Sequence, residues 1–115
     1  MAKTIEDVVR AARAAVNEID VAKARELLAA GVTFVDVREP AECAKGTIEG
    51  AVCIPRGVLE WKAGAEPRLA DRAAPVVIYC QSGGRSALAA RALEELGWSA
   101  VQSLAGGYGA WSADD

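Results

Sequence analysis

Apolar positions along this chain follow two patterns, and each predicts a different kind of element. In "TIEDVVRAARAAV" the residues Ile5, Val8, Val9 and Ala12 share one face, Thr4 suits an N-cap and Glu6 and Asp7 sit in the first turn, which predicts a helix at the edge of the domain. "NEID" is a very short extended segment. Asp20 then caps a second helix, "VAKARELLAA", and Gly31 falls just past its end. "VTFVDV", residues 32–37, is a continuous β-branched and aromatic run of the kind a strand buried on both faces requires.

In "REPAECAKG", Pro40 suits the first turn of a short helix and Gly46 ends it. "AVCIP" reads as a short strand stopped by Pro55, "RGVLEWKAG" as one or two helical turns, and "AEPRLADRAAP" as a loop-rich connection. "VVIYC", residues 76–80, is the clearest strand; "RSALAARALEEL" follows as a helix that Gly97 stops, then "SAVQSL" as a last strand and "GGYGAW" as a terminal helical turn. Strands alternating with helices at this spacing predict an α/β domain with a mostly parallel sheet covered on both sides. Ligands of such sheets sit beyond the carboxyl ends of the strands, where Asp36, Arg38 and Cys80 fall.

A chain of 115 residues fits one domain. Its apolar fraction is 52% but its aromatic fraction only 5%, so alanine supplies the surplus and a thin, alanine-lined core is expected. The net charge of −3 is scattered, and Arg56, Arg68 and Arg72 make only a thin basic region; neither a nucleic-acid nor a membrane partner is expected. No apolar stretch approaches a membrane span, and acidic residues stand where a signal peptide would have its apolar run, so a cytoplasmic protein is expected. Cys43, Cys53 and Cys80 are an odd count without a C-x-x-C pair, which argues against a disulfide framework and a zinc ribbon. The absence of histidine from the sequence removes Ser-His-Asp and Cys-His catalysis, histidine-bound metals and any imidazole proton shuttle. No metal and no cofactor is expected.

"YCQSGGRSALAARALEELGW" is where chemistry concentrates. Free cysteine at a strand end packs as a small hydrophobe in most proteins. Here Gln81, Ser82, Gly83, Gly84, Arg85 and Ser86 follow it, and paired glycines let successive amides turn toward one spot. Those amides and the free N–H groups of the next helix form a cradle for an anion. The Cys80 thiol inside it is expected to ionise more easily, because the amides and the helix dipole stabilise the negative sulfur. That yields a nucleophile without a histidine base. Arg85 can pair with a scaffold carboxylate, fork onto an oxyanion, or do both. Ser82 and Ser86 can bond the sulfur or cap the helix, and capping is the expectation for Ser86.

These residues resemble the rhodanese-like sulfurtransferases in their single-domain form, from about residue 18 to residue 112. The resemblance lies in "FVDVREPAEC" at 34–43, "GTIEGAVCIPRG" at 46–57, "CQSGGRS" at 80–86 and "LAGGYGAW" at 104–111, in that order. It implies a five-stranded sheet flanked by helices, with residues 18–115 as the family domain and residues 1–17 as a helical extension packed on it. It also implies that Cys80 carries a sulfur as a persulfide, taken from a small sulfur-containing anion such as thiosulfate and passed to cyanide or a thiol. Cys80 and Arg85 would be the catalytic residues, Arg38 and the loop residues Gln81, Ser82, Gly83, Gly84 and Ser86 would bind the substrate, and Asp36 would order the loop amides, with Arg38 a scaffold ion pair first and a substrate contact second. Arg56, Glu60 and Trp61 would line the pocket mouth, Tyr108 and Trp111 would pack at the core or edge, and Cys43 and Cys53 would be structural. Thr47 stands where the family commonly has a histidine, which puts the local packing in question.

Two rivals stand beside this reading. A sulfur carrier or binding module, loaded or unloaded by a partner protein, would show the same residues. A cysteine phosphatase also places a thiolate and an arginine before a helix, but its loop is one residue longer than the four residues between Cys80 and Arg85, and Tyr79 replaces its usual histidine.

Overall fold

Val76, Ile78 and Cys80 pack into one apolar cluster and Val77 and Tyr79 into another, as successive strand side chains on opposite faces must. The strand they form is the centre of the molecule. The structure, a computed structural model, describes residues 2–114. Five parallel strands make its sheet, in the order β1 (Asn17–Ile19), β5 (Val101–Leu104), β4 (Val76–Tyr79), β2 (Thr33–Asp36), β3 (Val52–Cys53). Every residue of β4 is buried, which is why its sequence is an unbroken apolar run.

Among the described residues six α-helices connect and cover the strands: α1 (Ile5–Ala15), α2 (Val21–Ala29), α3 (Pro40–Cys43), α4 (Leu59–Ala63), α5 (Gly84–Glu95) and α6 (Gly107–Ala113). Ala24 of α2 and Trp111 of α6 pack on one face with Phe34, Val77 and Leu104. On the other face Leu59 and Ala63 of α4 and Ala89, Ala90 and Leu93 of α5 meet Val35, Ile78 and Val101. The core is lined with alanine as composition demands, with Ala12, Ala24, Ala63, Ala87, Ala89 and Ala90 fully covered.

Two details differ from the sequence pattern. The stretch read as a loop at 65–75 contains a 3₁₀ turn, Pro67–Leu69, because Pro67 presets its first position and the Glu66 carboxylate accepts the Arg68 amide at 2.9 Å. Helix α5 starts at Gly84 instead of Arg85, since its N-cap is Gly83, whose φ of 109° only glycine adopts freely. Helix α1 lies against α5, where Val9 approaches Gly84. Thr4 and Asp7 close its first turn by exchanging two 3.1 Å bonds between side chain and backbone.

Candidate active site

Cys80 follows the carboxyl end of β4 directly, between the neighbouring ends of β2 and β5. The chain first crosses to the β2–β3 side of the sheet and returns to β4, so this end is where a parallel sheet leaves a crevice. The Cys80 sulfur accepts the Gly83 amide at 3.1 Å and the Ser86 amide at 3.4 Å, and its thiol lies 3.7 Å from the Ser86 hydroxyl oxygen. Ser86 is the third residue of α5, whose amide an N-cap oxygen normally takes. No side chain caps α5 at Gly83. The sulfur of Cys80 fills that role.

Electrostatics follow from this geometry. Burial raises the Cys80 thiol, but the Ser86 amide and hydroxyl, with the Gly83 and Ser82 amides, more than offset it and leave the thiol below its ordinary value. Ser86, expected to cap the helix, instead donates its amide to the sulfur and its hydroxyl to the Gly83 carbonyl at 3.1 Å, with Ser103 of β5 2.9 Å from the same oxygen. That buried serine pair fixes the inner wall of the loop.

The outer wall comes from the last helix. The Tyr108 amide donates to the Cys80 carbonyl at 2.8 Å and the Gly109 amide to the Gln81 carbonyl at 3.0 Å. Both carbonyls are thereby turned away from the sulfur. A Cβ at Gly107 would fall on the Cys80 carbonyl oxygen and 2.7 Å from the Gln81 carbonyl carbon, and its φ is 57°. The glycines of "LAGGYGAW" thus let α6 approach the loop backbone. The residue pattern predicts this segment as a terminal turn and the resemblance includes it as a block, but neither places it against the loop; its paired glycines at a strand end were the available signal.

Arg38 is a strut. Its Nε and Nη2 donate to the Asp36 carboxylate at 2.7–3.1 Å, Nη1 to Gln81 Oε1 at 3.1 Å, and Nη2 also to the Gly46 carbonyl at 2.7 Å. The side chain is 3% exposed, and the Tyr108 ring lies 4.5 Å from its guanidinium. The substrate contact expected of Arg38 gives way to this: with all three nitrogens engaged inside the protein, it reaches the loop only through Gln81. Asp36, expected to order the loop amides, accepts instead from the Arg38 guanidinium and its amide, at 2.9 Å. Hydrogen bonds to the Asp36 carboxylate hold the Arg38 charge more firmly than in water. Beside them the Tyr79 hydroxyl accepts the buried Ile48 amide at 2.9 Å, so the packing next to Thr47 is satisfied without a histidine; burial pushes that phenol well above its usual range.

Arg85, expected to act with Cys80, meets Glu42 of α3 in a two-pronged pair, 2.7 and 3.0 Å. The Arg85 guanidinium holds the Glu42 carboxyl down at about 2. Glu42 has no signal in the sequence beyond its place in the block at 34–43 that ends in α3. Arg56 pairs with Glu60 at 2.7 Å, one helical turn apart. Trp61 is 79% exposed and adjoins a depression with Val52, Cys53 and Ile54 that contains no residue of the loop. Its expected place at the pocket mouth is therefore corrected: α4 turns its indole to solvent along the β3 edge. Cys43, Cys53 and Asp36 bring their sulfur and oxygen atoms within 4.8 Å of one another, and burial pushes the Cys43 thiol up to about 12.

Two clefts flank the loop. One, of about 540 Å³, runs between α1 and Ser82 and Gly84; the other, of about 320 Å³, lies between α3 and α6 and includes Gln81. No helix among the described residues is long and apolar enough to cross a membrane.

Residues 20–114 match the Rhodanese-like domain family. A sulfurtransferase of Allochromatium vinosum is 39% identical over 99 residues, covering 84% of this chain and 89% of the relative. The human thiosulfate:glutathione sulfurtransferase is 35% identical over 100 residues, covering 76% and 85%. Among solved structures, a protein of unknown function from Rhodopseudomonas palustris, described as a possible tyrosine phosphatase, superposes with a TM-score of 0.90 at 31% identity, over 99% of this chain and 92% of that one.

Proposed function

This chain belongs to the rhodanese-like family of sulfurtransferases, and we propose from that premise that Cys80 carries sulfur from a donor such as thiosulfate to a thiophilic acceptor. The observation that carries the proposal is the inward pair of amides, Gly83 and Ser86, on the Cys80 sulfur. In the first half-reaction the Cys80 thiolate attacks the outer sulfur of thiosulfate, the S–S bond breaks, and sulfite leaves with the electron pair. The product is a persulfide, whose charge the same amides and the α5 dipole stabilise. In the second, cyanide or a thiolate attacks the outer sulfur, forming thiocyanate or a new persulfide, and the electron pair returns to Cys80. Thiosulfate as donor and a thiol as acceptor draw support from the name of the human relative.

A phosphatase would turn its loop arginine toward the phosphoryl group. Arg85 instead gives both terminal nitrogens to Glu42, which favours sulfur over phosphate. The test is intact mass after incubation with thiosulfate. One added sulfur, removed by cyanide and absent in Cys80→Ser, is the expected result. A chain that takes up no sulfur but hydrolyses an aryl phosphate would end the proposal, and loading only from a protein donor would place it as a carrier.

A further inference from the structure

Helix α1 precedes the segment matched by the family, yet it forms one side of the larger cleft beside the candidate nucleophile. That side is mixed in character. Ile5 and Val9 give it an apolar part, with Ile5 60% exposed, and Arg10 and Arg13 give it two guanidinium groups. Ser82 and Gly84, from the loop that encloses the Cys80 sulfur, form the opposite side.

The disposition of Arg13 is specific. Its Nε donates to Glu18 at 3.0 Å, which fixes the direction of the fork, and its Nη2 lies 3.4 Å from the place a Cβ on Gly83 would occupy. Its two terminal nitrogens have no acceptor among the described residues. Arg10 pairs with Asp7 through Nη1 at 3.1 Å, and Glu6 also faces the cleft. The acidic groups on α1 thus hold or border the guanidiniums, while the Arg13 fork is turned to the loop. Such a fork matches a carboxylate.

We infer that this cleft is the seat of the sulfur acceptor, and that the acceptor is an organic thiol carrying a carboxylate. The inference rests on the sulfur-transfer reading above. A cleft of about 540 Å³ lies within the ~300–1,000 Å³ range of small-molecule sites. It is far larger than a cyanide or thiosulfate ion needs. The acceptor's apolar stem lies against Ile5 and Val9, its carboxylate meets Arg13 with Arg10 beside it, and its thiolate attacks the outer sulfur of the Cys80 persulfide. The S–S bond to Cys80 breaks, the pair returns to the Cys80 sulfur, and the acceptor leaves as a persulfide. The smaller cleft offers less: Arg38 is already engaged and Glu42 would repel a carboxylate, leaving Lys45 as its other cation.

The full chain, loaded with thiosulfate, is assayed with glutathione and with uncharged 2-mercaptoethanol as acceptors. For the double variant Arg10→Gln with Arg13→Gln, the ratio of kcat/KM between glutathione and 2-mercaptoethanol falls about tenfold, the loss of charge-assisted bonds to one carboxylate. Arg13→Lys, which keeps charge and loses the fork, falls between. Added salt raises KM for glutathione more than for 2-mercaptoethanol in the native chain. An unchanged ratio in the double variant, or a fall that follows Lys45→Gln instead, overturns the inference while sulfur loading by intact mass stands. Failure of the native chain to load sulfur from any donor would instead retire the sulfur-transfer reading itself.

Discussion

The Ser86 amide donates to the Cys80 sulfur at 3.4 Å, so a thiol six residues upstream occupies the site where a helix-capping oxygen normally sits. One arrangement therefore does two things: it satisfies the start of α5 and it favours the thiolate. The two uses share the same hydrogen bonds, so stability and nucleophilicity are coupled at this position.

Alkylation of Cys80 is expected to reach half its maximal rate below the ordinary thiol value of ~8.5. Cys43, held up at about 12, stays protonated and unreactive over the same range. Peptide mapping after iodoacetamide pulses at a series of pH values measures both. Cys80→Ala should cost about 1 kcal/mol in urea unfolding, because the Gly83 and Ser86 amides lose their acceptor, while Cys80→Ser recovers much of it.

Gly107→Ala should destabilise the protein by roughly 2 kcal/mol or more, since the new methyl meets the Cys80 carbonyl and the backbone sits at a φ of 57°. Sulfur loading should slow with it, because the loop must shift. Gly57→Ala is the control: nothing lies within 4 Å of its Cβ position and its stability should be unchanged within ~0.5 kcal/mol. Thermal melts and loading rates read out both.

Asp36→Asn leaves the Arg38 guanidinium buried without a countercharge, a change that costs ~3–5 kcal/mol. Denaturant unfolding at neutral pH checks it. Arg38→Lys should also fail to restore the native stability, because one ammonium cannot reach Asp36, Gln81 and Gly46 together.

The Glu42 carboxyl, at about 2 in the fold, lies below the ~4.3 of an unfolded glutamate. Its pair with Arg85 therefore contributes stability that is fully present above pH ~4.3 and is lost as pH falls toward about 2. The pair is about one-third exposed, so Glu42→Gln should cost no more than ~1 kcal/mol at pH 7. The difference from the native chain should close as unfolding is repeated between pH 4.3 and pH 2.

Trp61→Ala should leave sulfur loading and its second-order rate unchanged, because the indole is 79% exposed and adjoins a depression without loop residues. A marked loss of rate in a steady-state assay would return this residue to the mouth of the site.

Local pattern alone carried much of the architecture. The unbroken run "VVIYC" and the β-branched run "VTFVDV" specify strands buried on both faces, and strands that alternate with capped helices leave little choice but a parallel sheet. The place of Cys80, at a strand end before two glycines, was legible for the same reason: a turn and a helix start are local events written in consecutive residues. Tertiary structure decided what met that loop from afar. That α6 brings Gly107 onto the Cys80 carbonyl, that Arg38 reaches Gln81, that Arg85 pairs with Glu42, and that α1 brings Arg13 over Gly83 are all contacts between residues distant in the chain. Side-chain spacing encodes the direction of a strand or helix face, but which two faces come together depends on the crossovers of the whole sheet, and no short stretch of sequence records that.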